Sequence, residues 1–163
     1  MRLSGIISES VVDGPGVRFV VFTQGCPHHC PGCHNPETWD PSGGKEMTLK
    51  EILKLIKKKL KNIRGITLSG GDPFLQAAEM AALAREAKKL GLDVVTYTGY
   101  TYEELLAIDG PGFKELLEVT DILVDGPFLI QYRDIGLAFR GSSNQRVIDL
   151  AATKEKGQLI LIA

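Results

Sequence analysis

The chain has 163 residues, enough for one domain spanning 1–163 with a sizeable core. Hydrophobic residues are 44% and charged residues 24%, an ordinary balance for a soluble globular protein. Nineteen basic residues against twenty acidic ones give a formal net charge of −1, which argues against a nucleic-acid surface driven by bulk charge. No apolar run approaches the roughly 20 residues of a transmembrane helix. Met1 to Gly5 carries no signal-peptide core, so the expected compartment is the cytoplasm.

Leu3 to Val12 alternates weakly and predicts an edge strand or hairpin leading in. Val11 to Gly16 reads as a turn, with Asp13 and Gly14 for the bend and Pro15 to stop pairing. Val17 to Gln24 is a near-continuous apolar and β-branched run, the pattern of a buried strand in a parallel sheet. A loop from Gly25 to Trp39 follows at that strand's C-terminal end, where α/β folds gather their ligands.

All three cysteines of the chain lie in this loop: Cys26, Cys30 and Cys33. An odd count cannot close a set of disulfides. Thiolates packed this tightly in sequence point to a metal. The Cys-x3-Cys-x2-Cys spacing lacks the second pair of a usual zinc finger. It suits a [4Fe-4S] cube in which one iron is left without a protein ligand. The alternative is a zinc site of three cysteines completed by His28, His29 or His34. Pro27, Pro31 and Pro36 keep the loop from becoming helix or strand, and Gly25 and Gly32 permit close turns. His28 and His29 read as loop surface, and Trp39 as packing at the loop's far end.

Pro41 to Glu46 predicts a loop. Thr48 caps a helix, with Glu51 as its capping-box partner. Leu49, Ile52, Leu53, Ile56 and Leu60 make its apolar stripe. The lysines from Lys54 to Lys61 fall mostly outside that stripe. They read as a solvated face near the helix C-terminus, or as a docking patch for an acidic partner. Arg64 to Ser69 predicts a second strand, running into Gly70-Gly71-Asp72-Pro73 and a helix from Phe74 to Leu90 that Gly91 ends. Gly70, Gly71 and Asp72 are either a plain strand-to-helix turn capped by Asp72, or a backbone cradle for a small polar group. Leu92 to Thr96 is a third strand. Thr101 to Ile108 is a short helix with Glu104 at its box position, and Phe113 to Val119 is another helical turn or two. Asp121 to Asp125 is a fourth strand, whose last residue faces a cofactor or serves the turn. Phe128 to Phe139 has no clear pattern. Arg146 to Leu150 and Gln158 to Ile162 predict final strands.

Strands alternating with helices predict an α/β fold with four or five parallel units, too few for a closed eight-stranded barrel. The expected architecture is an open, partial (β/α) barrel, smaller than a full TIM barrel. Its open side would admit a loop of another protein.

Together the cysteine loop and Gly70-Gly71-Asp72-Pro73 resemble the radical S-adenosylmethionine superfamily, whose motifs are Cys-x3-Cys-x2-Cys and Gly-Gly-Glu/Asp-Pro. Asp13 to Phe19 is similar to the glycyl-radical-enzyme activases. Cys33 to Trp39, Tyr97 to Thr101, Val124 to Phe128 and Arg140 to Arg146 resemble the activases of anaerobic ribonucleoside-triphosphate reductase, a match running to about Leu150. The resemblance implies a barrel of the radical S-adenosylmethionine type and a [4Fe-4S] cluster on Cys26, Cys30 and Cys33, whose open iron binds S-adenosylmethionine. It implies backbone at Gly70 and Gly71 near the methionyl amino group, and backbone of Gly32, Cys33 and His34 near the adenine. It further implies a flavodoxin-like electron donor and a 5′-deoxyadenosyl radical that takes hydrogen from a glycine of the reductase. Pyruvate formate-lyase is the alternative partner, and a non-enzymatic zinc-binding adaptor the alternative class.

Overall fold

The computed structural model describes residues 1–163. Its strands are β1 (Arg2–Ser10), β2 (Arg18–Thr23), β3 (Lys45–Glu46), β4 (Gly65–Gly70), β5 (Asp93–Tyr97), β6 (Ile122–Asp125) and β7 (Arg146–Asp149). They form one seven-stranded sheet in the order β3-β1-β2-β4-β5-β6-β7. The sheet is mixed and does not close. β2, β4, β5 and β6 run parallel, whereas β1 and β7 pair antiparallel with the outer members of that set. The N-terminal strand is therefore next to an edge, because the two-residue β3 covers it within what reads as a plain loop.

Helices fill the crossovers. α1 (Leu49–Lys59) precedes β4, α2 (Ala77–Lys89) links β4 to β5, and α3 (Tyr102–Ile108) and α4 (Phe113–Val119) link β5 to β6. Thr48 and Thr101 each form a full capping box, with Glu51 and Glu104. An isolated helix of 11 residues is marginal in water. α1 is held by burying Ile52 and Ile56, worth about 1.5–3 kcal/mol each.

Period-two alternation sorts the strand residues. Phe19, Val21, Ile66, Leu68, Val94 and Leu123 join one core with Ile56, Met80, Leu83 and Leu116 from the helices. Val95, Val124 and Val147 form a smaller cluster, with Tyr97 and Ile122 packed against it. Arg18 is fully buried. Its guanidinium donates to the Pro15 carbonyl at 2.8 Å, the Ile66 carbonyl at 2.7 Å and Thr67 Oγ1 at 2.8 Å, and it pairs with the Asp93 carboxylate. Thr67 Oγ1 in turn donates to the Asp13 carbonyl at 2.7 Å. The turn between β1 and β2 is thereby tied to β4. Each of its three nitrogens has an acceptor, which is what a buried guanidinium requires.

The C-terminal segment departs from expectation. α5 (Leu150–Lys156) follows β7, with Asp149 accepting from the Ala152 backbone N–H at 2.9 Å as its cap. Gln158 to Ile162 forms no regular strand, although its end pairs with β7 through a bridge between Leu161 and Ile148 and backbone hydrogen bonds from Asp149 to Ile160 and between Val147 and both Ile162 and Ala163. Leu150, Ala151 and Ala152 are strong helix formers, and their propensity wins once Asp149 caps them. Within Phe128 to Phe139 the only regular element is a 3₁₀ turn, Ile130–Tyr132.

Candidate functional site

The four parallel strands end on one side of the sheet, and a cleft of about 360 Å³ opens there. Cys26, Cys30 and Cys33 all line it, all as free thiols and all half-buried. Their loop is closed by the protein itself. The Gly25 N–H donates to the Thr38 carbonyl, and the Cys26 N–H donates to the Trp39 carbonyl at 3.2 Å. Buried Gln24 donates through Nε2 to the carbonyls of Glu37 and Asp40, at 2.9 and 2.8 Å. Within the loop the Cys33 N–H donates to the Cys30 carbonyl at 3.0 Å, and the Asn35 N–H points at Cys33 Sγ at 3.4 Å. Such N–H groups stabilise negative charge on a thiolate.

The loop rests on the turn between β4 and α2. Asp72 is fully buried and accepts from four donors: the Phe74 N–H at 3.0 Å, the Gly99 N–H at 3.0 Å, Thr98 Oγ1 and His28 Nε2 at 2.6 Å. One carboxylate thus joins the cysteine loop, the start of the helical segment after β4 and the end of β5. The Gly71 N–H donates to the Thr23 carbonyl and the Asp72 N–H to the Gly25 carbonyl, both at 2.8 Å. Gly70 has φ +103°, and a Cβ placed there would lie 2.3 Å from the Thr23 backbone nitrogen. The glycine is required by the close passage of β4 against β2, besides any ligand on the open side.

Six of the candidate residues share the cleft: Cys26, Cys30, Cys33, His34, Gly70 and Gly71. Gly32, Asp72 and Asp125 are not in its wall. Gly32, at φ +77°, backs onto Ile130. Asp72 is turned inward, as described. Asp125, also fully buried, is held by Arg146 and by the Tyr102 N–H at 2.7 Å. Arg146 reaches Glu103 as well, so its charge is spent outside the cleft. His28 differs from its reading as loop surface: its side chain is 16% exposed, bonds Asp72 and meets Tyr100 edge to face at 4.5 Å. His29 is exposed, as read, and stacks on Trp39 at the loop's far end. Asp13, Tyr97, Thr98 and Arg140 line the cleft as well. Tyr97 and Thr98 are marked in the sequence by the end of β5, Arg140 by the Arg140 to Arg146 segment, and Asp13 by the Asp13 to Phe19 segment.

Burial pushes the Cys26 thiol above its ordinary pKa. Burial, helped by Asp72 and Cys26, does the same for the Tyr100 phenol, and burial raises Tyr97 strongly. Burial thus favours the neutral forms of Cys26 and Tyr97, and bound iron would hold its thiol ligands deprotonated. The donor set fits an iron–sulfur cube. Three thiols reach one cleft, backbone N–H groups approach the sulfur, and two glycines leave backbone open beside them. No three acidic, histidine or cysteine side chains converge on a single-ion site. A cube takes one thiolate per iron and so spaces its ligands more widely than a lone zinc does.

Residues 12–148 match a family described as a 4Fe-4S single cluster domain. The anaerobic ribonucleoside-triphosphate reductase-activating protein of Salmonella typhimurium is 37% identical over 155 residues, covering 90% of this chain and 97% of that protein. The protein of the same name from Vibrio cholerae is 40% identical over 144 residues, covering 83% and 89%. The pyruvate formate-lyase 1-activating enzyme of Escherichia coli is 38% identical over 155 residues, 92% of this chain and 61% of that longer enzyme. A 4Fe-4S family leaves no place for the single-zinc alternative. With its cysteine cleft, this chain belongs to the 4Fe-4S single-cluster family and, within it, to the radical S-adenosylmethionine activating proteins of anaerobic ribonucleoside-triphosphate reductase.

Proposed function

We propose that this protein activates an anaerobic ribonucleoside-triphosphate reductase by generating a radical on one of that enzyme's glycines. The observation that carries the reading is the meeting of Cys26, Cys30 and Cys33 with Gly70 and Gly71 in one cleft at the ends of parallel strands. The open seven-stranded sheet is read as a partial barrel of the radical S-adenosylmethionine type, its missing strands leaving room for a partner's loop.

When bound, the cluster and S-adenosylmethionine supply reductive cleavage of a carbon–sulfur bond and a carbon-centred radical able to take hydrogen from glycine Cα. The chain's own residues do the rest. Cys26, Cys30 and Cys33 would hold the cluster, leaving one iron without a protein ligand. Backbone at Gly70 and Gly71 would receive the methionyl amino group, and backbone at Cys33 and His34 would border the adenine, with Gly32 behind them against Ile130. Asp72 fixes the two motifs relative to each other through His28 and the Gly99 N–H. Asp125 acts from behind the wall, holding Arg146 and, through the Tyr102 N–H, the start of α3. Phe128, Leu137 and Phe139 form an apolar stretch of the wall, which would help keep water from a reactive radical. Electrons come from a flavodoxin-like donor, in the cytoplasm. No helix of the chain is long and apolar enough to cross a membrane.

The test is anaerobic. The protein is reconstituted with iron and sulfide, reduced, and mixed with S-adenosylmethionine and either the reductase or a pyruvate formate-lyase. Electron paramagnetic resonance should show a glycyl radical on the reductase. A radical on the formate-lyase alone would overturn the assignment.

A further inference from the structure

Arg140 is the one lysine or arginine in the cleft wall. It forms no ion pair, whereas Arg146, six residues on, is shared between Asp125 and Glu103. Its single hydrogen bond runs from Nη1 to the Gln145 carbonyl at 3.1 Å, and its Nε is buried with no acceptor. A guanidinium half-withdrawn from water with an unspent, buried N–H is costly unless an anion completes it.

The segment carrying it is rigid. Gln145 Oε1 accepts from the Gly141 and Ser142 N–H groups at 2.9 and 3.1 Å, and Gln145 Nε2 donates to the Gly126 carbonyl at 3.1 Å. Asn144 Nδ2 donates to the Pro127 carbonyl at 2.8 Å. Fully buried Ser142 accepts through Oγ from the Leu129 N–H at 3.2 Å. These bonds fix the loop to the end of β6, so the guanidinium is placed in advance of any ligand.

We infer that Arg140 is the protein's binding residue for the carboxylate of S-adenosylmethionine. The inference rests on the reading that this cofactor occupies the cleft. Of the cofactor's groups only the carboxylate is anionic, and guanidinium is the side chain that matches carboxylate geometry best. A carboxylate carries about four lone-pair sites, enough for iron and Arg140 to share it.

Equilibrium binding to the reconstituted protein, read by calorimetry, tests this with two probes: S-adenosylmethionine and its decarboxylated analogue. Tight binding of S-adenosylmethionine to the unaltered protein checks the underlying reading separately. Arg140→Gln should weaken S-adenosylmethionine by roughly tenfold to a hundredfold, the range for losing a charge-assisted hydrogen bond. The decarboxylated analogue should change by less than about twofold, because its partner group is absent from both measurements. Arg140→Lys should recover part of the loss. Equal weakening of both probes would mean a damaged loop rather than a lost contact, and would overturn the inference. So would unchanged affinity for S-adenosylmethionine, which would leave the guanidinium for the partner enzyme.

Discussion

Replacing Asp72 with alanine removes the only acceptor of two backbone donors, the N–H groups of Phe74 and Gly99. The first is buried and the second partly so. A buried donor left without a partner costs about 1–3 kcal/mol, and the cap of the helical segment is lost in the same stroke. His28 loses its bond to the turn as well. Together these amount to about 4 kcal/mol, a large share of the 5–15 kcal/mol that holds a typical domain folded. In urea, with a slope of about 2 kcal/mol per molar, the midpoint should fall by about 2 M. The measurement belongs on cluster-free protein, without oxygen, so that metal content does not enter. Asp72→Asn keeps one carbonyl acceptor and should lose roughly half as much. A shift under about 0.5 M for Asp72→Ala would refute the claim that this carboxylate ties the two motifs together.

Gly70→Ala should cost about 3 kcal/mol or more, because its Cβ meets the Thr23 backbone and its φ lies in the left-handed region; the same urea titration reads it. Arg146→Gln strands Asp125, whose side chain is 1% exposed, and should cost about 3 kcal/mol by thermal or urea unfolding. Glu103 is held below its ordinary pKa chiefly by its hydrogen bond from Arg146. That contribution is fully present above the usual glutamate range and disappears as pH falls through the lowered value. Glu103→Gln should therefore destabilise the protein at pH 7 and make no difference once the pH lies below that value, in unfolding measured across the acid range. Cys30→Ala should leave far-ultraviolet circular dichroism unchanged yet abolish cluster assembly, measured as iron and sulfide per chain after reconstitution.

Much of the scaffold was legible because it follows local rules. Thr48 and Thr101 announce their helices through a residue three positions on, and short apolar, β-branched runs announce the parallel strands. The cysteine spacing narrows its chemistry to an iron–sulfur cube or a zinc site, and the family match decides for the cube. What escaped depends on contacts between distant parts. His28 and His29 are neighbours with identical side chains, yet His29 takes φ +46°, so one ring turns to Asp72 and the other to Trp39. Asp72 could have met solvent, cofactor or protein, and only the arrival of the β5 end, with Thr98 and Gly99, decides for protein. Asp125 was ambiguous for the same reason, since its partner Arg146 lies 21 residues away. The helix after β7 was missed because Asp149 serves both as the last strand residue and as its cap.

Arg18 rivets the start of β2 to β4 and to Asp93. The strand that delivers the cysteine loop therefore cannot slip in register without stranding a buried cation, so the loop's place along the sheet is locked from the opposite end of its own strand.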